Sequence, residues 1–346
     1  MTEMMKCVIK AASGKGNLAT TLMPVPTVGP NDVLVKVKAV ALCGTDIHIA
    51  DWNKFASDRM TMPTIIGHEF SGEIVAVGSE VHHLQIGDAV AAETHIVCHS
   101  CDACLHDDFH VCSYTKTIGL SRDGALAEYI AIPAENAVVF DKTFSWQELS
   151  LMEPFMAAVH AMTAFPLLGN TIVVIGCGPI GIMGIIIAKY CGASKVIAIE
   201  PIANRRDKAK EVGADAVLNP LETDISAAVK EANFGNPVDV VVDFSGNVSA
   251  IAQSLDYLRP AGNMAILGLS DHELSLPLDS FVYRGITLKG IAGRRMYSDW
   301  AKGKGLLRSG LSLKPVITHE LPMDKYEEGL KLMRQGACCK CVLMVE

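Results

Sequence analysis

The stretch "TIVVIGCGPIGIMGIIIAKYC", residues 171–191, restricts the fold of this chain more than any other. Its first five residues are all β-branched, as in a strand buried on both faces. Gly176, Gly178 and Gly181 follow at the spacing G-x-G-x-x-G, with Pro179 and Ile180 between the last two, and a helix is expected from Ile180 to Tyr190. The first glycine permits a tight turn, the second lets backbone approach a pyrophosphate, and the third allows the helix to pack on the strand. A phosphate would sit at the helix N-terminus, where unpaired N–H groups and the helix dipole favour an anion. The run from Ile172 to Ala188 carries no charge and imitates a membrane span. It falls short of the roughly 20 apolar residues a crossing needs, and the glycine turn interrupts it.

Alone, the turn also fits a buried glycine corner or an S-adenosylmethionine site. The next strand favours a dinucleotide: "KVIAIE" (195–200) ends in Glu200, nineteen residues past Gly181, where an acidic residue hydrogen-bonds the adenosine ribose. A glutamate there opposes a 2′-phosphate by roughly 1 to 4 kcal/mol at a few ångströms. NAD is therefore expected over NADP. Arg205 joins the expected cofactor contacts, although it and Arg206 also read as surface charges. "VDVVVDFSG" (238–246) and "GNMAILGL" (262–269) continue the strand and helix alternation of a doubly wound parallel sheet.

At 346 residues the chain is long enough for two domains, and with 50% hydrophobic and 20% charged residues it reads as globular. A net charge of -8 repels polyanions, which argues against nucleic-acid partners. The start "MTEMMKCVIKAASGK" lacks a signal-peptide pattern, so a cytoplasmic location is expected. Eleven cysteines then read as thiols or metal ligands in a reducing compartment.

Four of them, Cys98, Cys101, Cys104 and Cys112, fall in "CHSCDACLHDDFHVC". Thiolates at this spacing can close tetrahedrally on zinc, leaving no open position, so the metal is expected to brace a loop and to do no chemistry. The spacing departs from the ferredoxin run, which has three residues before its fourth cysteine and a proline after it. His99, His106 and His110 read as surface residues of the lobe, and Cys338, Cys339 and Cys341 as incidental thiols near a terminal strand. A second set, Cys43 in "ALCGTDIH" with His68 and Glu69 in "IIGHEFSGEIVAVG", mixes thiolate, imidazole and carboxylate as catalytic zinc sites do. Glu153 in "LMEPF" is a further ligand or water-holder candidate.

The ordered set "CGTDIH", "GHE", four-cysteine lobe, "EPF", "GCGPIG" and Glu200 resembles the zinc-dependent medium-chain alcohol dehydrogenase family over nearly the whole chain. "HIVCHSCDAC", the "DW" at Asp51 and Trp52, "GIAGRRMYSDW" (290–300) and "SGLSLKPVITH" (309–319) are similar to its L-threonine-oxidising branch. The resemblance implies an α/β fold. A GroES-like β-rich catalytic domain would comprise 1–155 and 292–346, with the zinc lobe at 95–113, and a Rossmann domain would comprise 156–291, the active site lying in the cleft. It also implies one catalytic and one structural zinc per chain, NAD as cofactor, and a homotetramer acting on a small alcohol.

Cys43, His68 and Glu69 would hold the catalytic zinc, which acidifies a substrate hydroxyl. Thr45 and His48 would relay its proton, and Glu153 would lie near the metal. His95 is an expected substrate contact and Arg294 a cofactor or substrate contact. "EPFMAAVHAM" departs from the branch's pattern, with Met156 and Ala157 in place of Gly-Asn, which leaves polyols and small diols such as sorbitol, xylitol or 2,3-butanediol as alternative substrates. A non-catalytic dinucleotide-binding redox sensor on the same fold would have no chemical need for Cys43, Thr45, His48, His68 and Glu69 together.

Overall fold

Strand Thr171–Ile175, buried at all five positions, lies inside a six-stranded parallel sheet. The order is Ala216–Leu218, Lys195–Ile199, Thr171–Ile175, Val238–Asp243, Leu258–Ile266, Thr287–Gly290. Numbered along the chain this is 3-2-1-4-5-6, the doubly wound order of dinucleotide-binding folds. Burial on both faces explains the near-continuous apolar strands. Helix Pro179–Tyr190 starts with proline in its first turn, where the missing N–H has no intrahelical partner to lose. The strand expected from 262 begins earlier, at Leu258.

These elements belong to one of two units in the computed structural model, which describes residues 3–346. The units are Met1–Pro154 with Ile317–Glu346, and Phe155–Val316. The segment 292–316, expected in the first domain, therefore packs in the second. Trp300 on helix Ser298–Arg308 is 1% exposed there, and His160 Nδ1 lies 3.1 Å from the Gly293 carbonyl oxygen, which it meets as a donor. The exposed, charged character of that helix hides this packing from a local reading.

The first unit is β-rich. A sheet runs in the order Ala137–Phe140, Ala89–Ala92, Glu69–Val77, Asp32–Ala41, Lys340–Met344, Ile317–Pro322, with Tyr129–Pro133 also pairing Asp32–Ala41. Alternating burial along Asp32–Ala41 gives one core face of Val33, Val35 and Val37. Lys340–Met344 pairs antiparallel with Asp32–Ala41, Val342 opposite Ala41, so the last strand of the chain closes beside Leu42 and Cys43. Among the described residues no helix is long and apolar enough to cross a membrane.

Candidate metal and cofactor sites

Cys43 is the N-cap of helix Gly44–Asp51, and its backbone N–H donates to Asp46 Oδ2 at 2.8 Å. His68 and Glu69 enter the site where strand Glu69–Val77 begins, with Glu69 opposite Ala41 in the antiparallel register. The preceding Gly67 has φ +89°, and a Cβ there would meet the Leu126 backbone nitrogen at 3.0 Å, so glycine suits this approach. These two geometries bring one ligand atom each from Cys43, His68 and Glu69 within 4.8 Å of one another. His68 and Glu69 are buried, at 5% and 0% exposure.

Two features show that the residues fit a divalent cation. Glu69 Oε1 and His68 Nδ1 are buried with no hydrogen-bond partner, which is costly for polar atoms unless something else meets them. The cluster also carries excess negative charge. Burial, and then the nearby Cys43 and Glu153, push the Glu69 carboxyl well above its usual range, against the pull of Lys340. Burial likewise raises Asp46. Burial works to lower Lys340, but Glu69 and Cys43 outweigh it and the ammonium is raised. Negative charge nearby thus raises both Glu69 and Lys340, and a cation at this site would offset it.

Sequence reading missed Lys340. Its Nζ donates to Glu69 Oε2 and to the Leu42 carbonyl oxygen at 3.0 Å, and the residue is 4% exposed. Glu153 is not among the three mutually close ligands, yet it acts electrostatically on Glu69 and lies 3.5 Å from Thr94 Oγ1. Thr45 Oγ1 is 3.7 Å from Cys43 Sγ, and His48 follows three residues later on the same face of the helix. Asn53, also missed, has its Oδ1 occupied by the Ala56 N–H, which turns its amide nitrogen to His48 Nδ1 at 2.8 Å. His95 is held by its own N–H, which donates to Glu93 Oε1 at 2.9 Å.

The sulfurs of Cys98, Cys101, Cys104 and Cys112 gather in one group, with separations of 3.5 to 4.0 Å across four of their pairs. Zn–S bonds of about 2.3 Å pointing to the corners of a tetrahedron give S···S edges near 3.8 Å, so the four-sulfur site fits zinc. Donors from Ser100 hold Cys98 down to about 6, toward the thiolate that zinc binds. His99, His106 and His110 lie outside the sulfur group. His99 instead meets Glu135 at 3.1 Å.

In the second unit a groove of about 520 Å³ is lined by Gly176, Gly178, Glu200, Arg205, Leu221 and Asn247, among others. A Cβ on Gly181 would lie 2.0 Å from the Gly176 carbonyl oxygen, whereas one on Gly178 would meet nothing within 4 Å. The third glycine thus serves packing, and the second faces space a pyrophosphate can fill. Glu200 is 3% exposed and accepts from the Cys177 and Ile202 N–H groups at 2.8 and 3.0 Å. Arg294 is 2% exposed and is not among the residues lining this groove. Leu221 and Asn247 carry no motif that would have pointed to the groove.

Residues 29–142 match the family model "Alcohol dehydrogenase GroES-like domain" and residues 179–308 the model "Zinc-binding dehydrogenase". The chain is 47% identical to the L-threonine 3-dehydrogenase of Caldanaerobacter subterraneus subsp. tengcongensis over 92% of this chain and 93% of that protein. Its fold matches a zinc-binding dehydrogenase from Sinorhizobium meliloti 1021 solved with NADP, with TM-score 0.91, 25% identity and 99% coverage of both chains. It also matches an alcohol dehydrogenase from Escherichia coli CFT073 solved with NADH, with TM-score 0.90, 26% identity and 99% coverage of both. With both units matched and a relative this similar over nearly its whole length, the chain belongs to the zinc-dependent medium-chain alcohol dehydrogenase family.

Proposed function

We infer that the protein oxidises L-threonine at its 3-hydroxyl to 2-amino-3-oxobutanoate, reducing NAD to NADH and releasing one proton. The observation that carries this reading is the 47% identity to an L-threonine 3-dehydrogenase, joined to the buried Cys43, His68 and Glu69 set. Three ligands leave a fourth position for substrate or water. Zinc, when bound there, supplies Lewis-acid polarisation of the substrate hydroxyl. The chain's own residues do the rest. Cys43, His68 and Glu69 hold the metal, and Glu153 adds negative charge beside it. Thr45 takes the hydroxyl proton and His48, one turn on, returns it to solvent. His95 and Arg294 are the proposed polar contacts to substrate and cofactor.

The turn Gly176, Gly178, Pro179, Ile180 and Gly181 carries the cofactor pyrophosphate, and Glu200 holds the adenosine ribose hydroxyls with Arg205 beside them. A second zinc in Cys98, Cys101, Cys104 and Cys112 braces the lobe. We further propose a cytoplasmic homotetramer. The outer edge of the terminal sheet strand Thr287–Gly290, with Leu288 exposed, and the exposed Leu278, Val282 and Tyr283 on the preceding helix support an association surface. Light scattering should then give the mass of four 37.0 kDa chains.

NAD reduction assayed on L-threonine, sorbitol, xylitol and 2,3-butanediol tests the substrate. L-Threonine should exceed the others in kcat/KM by at least about a hundredfold, since a site whose buried polar groups match a substrate's own discriminates by more than an apolar pocket can. Equal or greater turnover of a polyol or diol would overturn it.

A further inference from the structure

We propose that Lys340 is a positioning residue for the metal-binding carboxylate: it holds Glu69 by Oε2, so that Oε1 alone faces the Cys43 and His68 ligands. The inference rests on the reading of Cys43, His68 and Glu69 as a metal site. Its starting point is a lysine in a place lysine rarely occupies. Lys340 is 4% exposed, and a buried ammonium persists only when it is paired and hydrogen-bonded.

Its two partners are Glu69 Oε2 and the carbonyl oxygen of Leu42, the residue before Cys43. One ammonium therefore ties the strand that delivers the carboxylate to the segment that delivers the thiolate. Lys340 itself comes from the terminal strand, 271 residues away from Glu69 in sequence, and reaches them because Val342 pairs with Ala41. Glu69 Oε1 is left buried without a hydrogen-bond partner. A carboxylate with one oxygen occupied by a fixed donor and the other open is restricted to binding through that single oxygen. Without the ammonium, the side chain loses the contact that fixes its rotation.

Groups that orient a metal ligand typically contribute 10–100-fold to metal affinity. The test is zinc affinity of the second, more readily removed equivalent, measured by competition with a chromophoric chelator. The full-length protein is used as wild type, Lys340→Met, Glu69→Gln and the double variant. Lys340→Met should weaken this zinc at least tenfold, while the zinc of the cysteine lobe and NADH binding stay as in wild type. In the Glu69→Gln background the same change should cost less than about threefold, because Lys340 acts through Glu69. Should the methionine variant not fold, Lys340→Gln, which retains a donor without the charge, is carried through the same cycle with the same criterion of a larger loss in the wild-type background than in the Glu69→Gln background.

Unchanged affinity when Glu69 is present, or equal losses in both backgrounds, would overturn the role of Lys340. A wild-type protein that binds only the lobe zinc would instead overturn the metal-site reading beneath it.

Discussion

The backbone N–H of Cys177, inside the glycine turn, donates to Glu200 Oε2 at 2.8 Å. One carboxylate thus braces the turn, and in the proposed cofactor pose it also meets the adenosine ribose. Glu200→Gln keeps the shape and removes the charge. It should lower the preference for NAD over NADP by at least about fivefold, the smaller end of the repulsion between a carboxylate and a 2′-phosphate. The kcat/KM values for the two cofactors measure it, and an unchanged ratio would count against Glu200 as the discriminating group.

His48→Gln removes the proposed solvent-side proton acceptor. Oxidation should slow most at low pH, and the pH profile of kcat/KM should lose one ionisation. An identical profile in wild type and variant would remove His48 from the relay.

The two sulfur-bearing sites should respond differently to loss of one cysteine. Cys43→Ser is expected to bind one zinc instead of two and lose activity while its melting transition stays close to wild type. Cys101→Ser should lower the melting temperature or impair assembly first, since a closed metal site contributes to the stability of the loop it braces. Metal analysis beside thermal melts distinguishes these, and a reversed pattern would exchange the two assignments.

The raised carboxyls of Glu69 and Asp46 make a statement about pH. A group whose folded pKa exceeds its unfolded value binds more protons when native, so its contribution to stability is present at low pH and is lost as pH rises through the folded pKa. Protein lacking the catalytic zinc should therefore weaken as pH rises above the usual carboxylate range, and zinc should stabilise it more at higher pH. Melts of the one-zinc and two-zinc forms should show a gap that widens with pH. A constant gap would contradict the charge imbalance inferred around Glu69.

Local pattern reveals some of this molecule and topology supplies the rest. The β-branched run at 171–175, the turn at Gly176 and the cysteine spacing are visible because their geometry is set by neighbours in the chain. Leu258–Ile266 is partly disguised, since Pro260 and Gly262 interrupt the apolar run while the strand continues through them. Helix Ser298–Arg308 reads as polar and gives no local sign that Trp300 is buried in the second unit. Lys340 opens "KCVLM" like an ordinary exposed lysine at a strand end. Only the pairing of that strand with Asp32–Ala41 brings it to Glu69. Asn53 is similarly silent in sequence, because its contact with His48 depends on the angle between two short helices.

Returning zinc stepwise to chelator-stripped protein, with NADH formation from L-threonine followed at each addition, tests the central claim most directly. The first equivalent should fill the four-cysteine lobe and restore little turnover, and activity should rise in proportion to the second. Stripped or one-zinc protein turning over L-threonine as fast as the two-zinc form would contradict it.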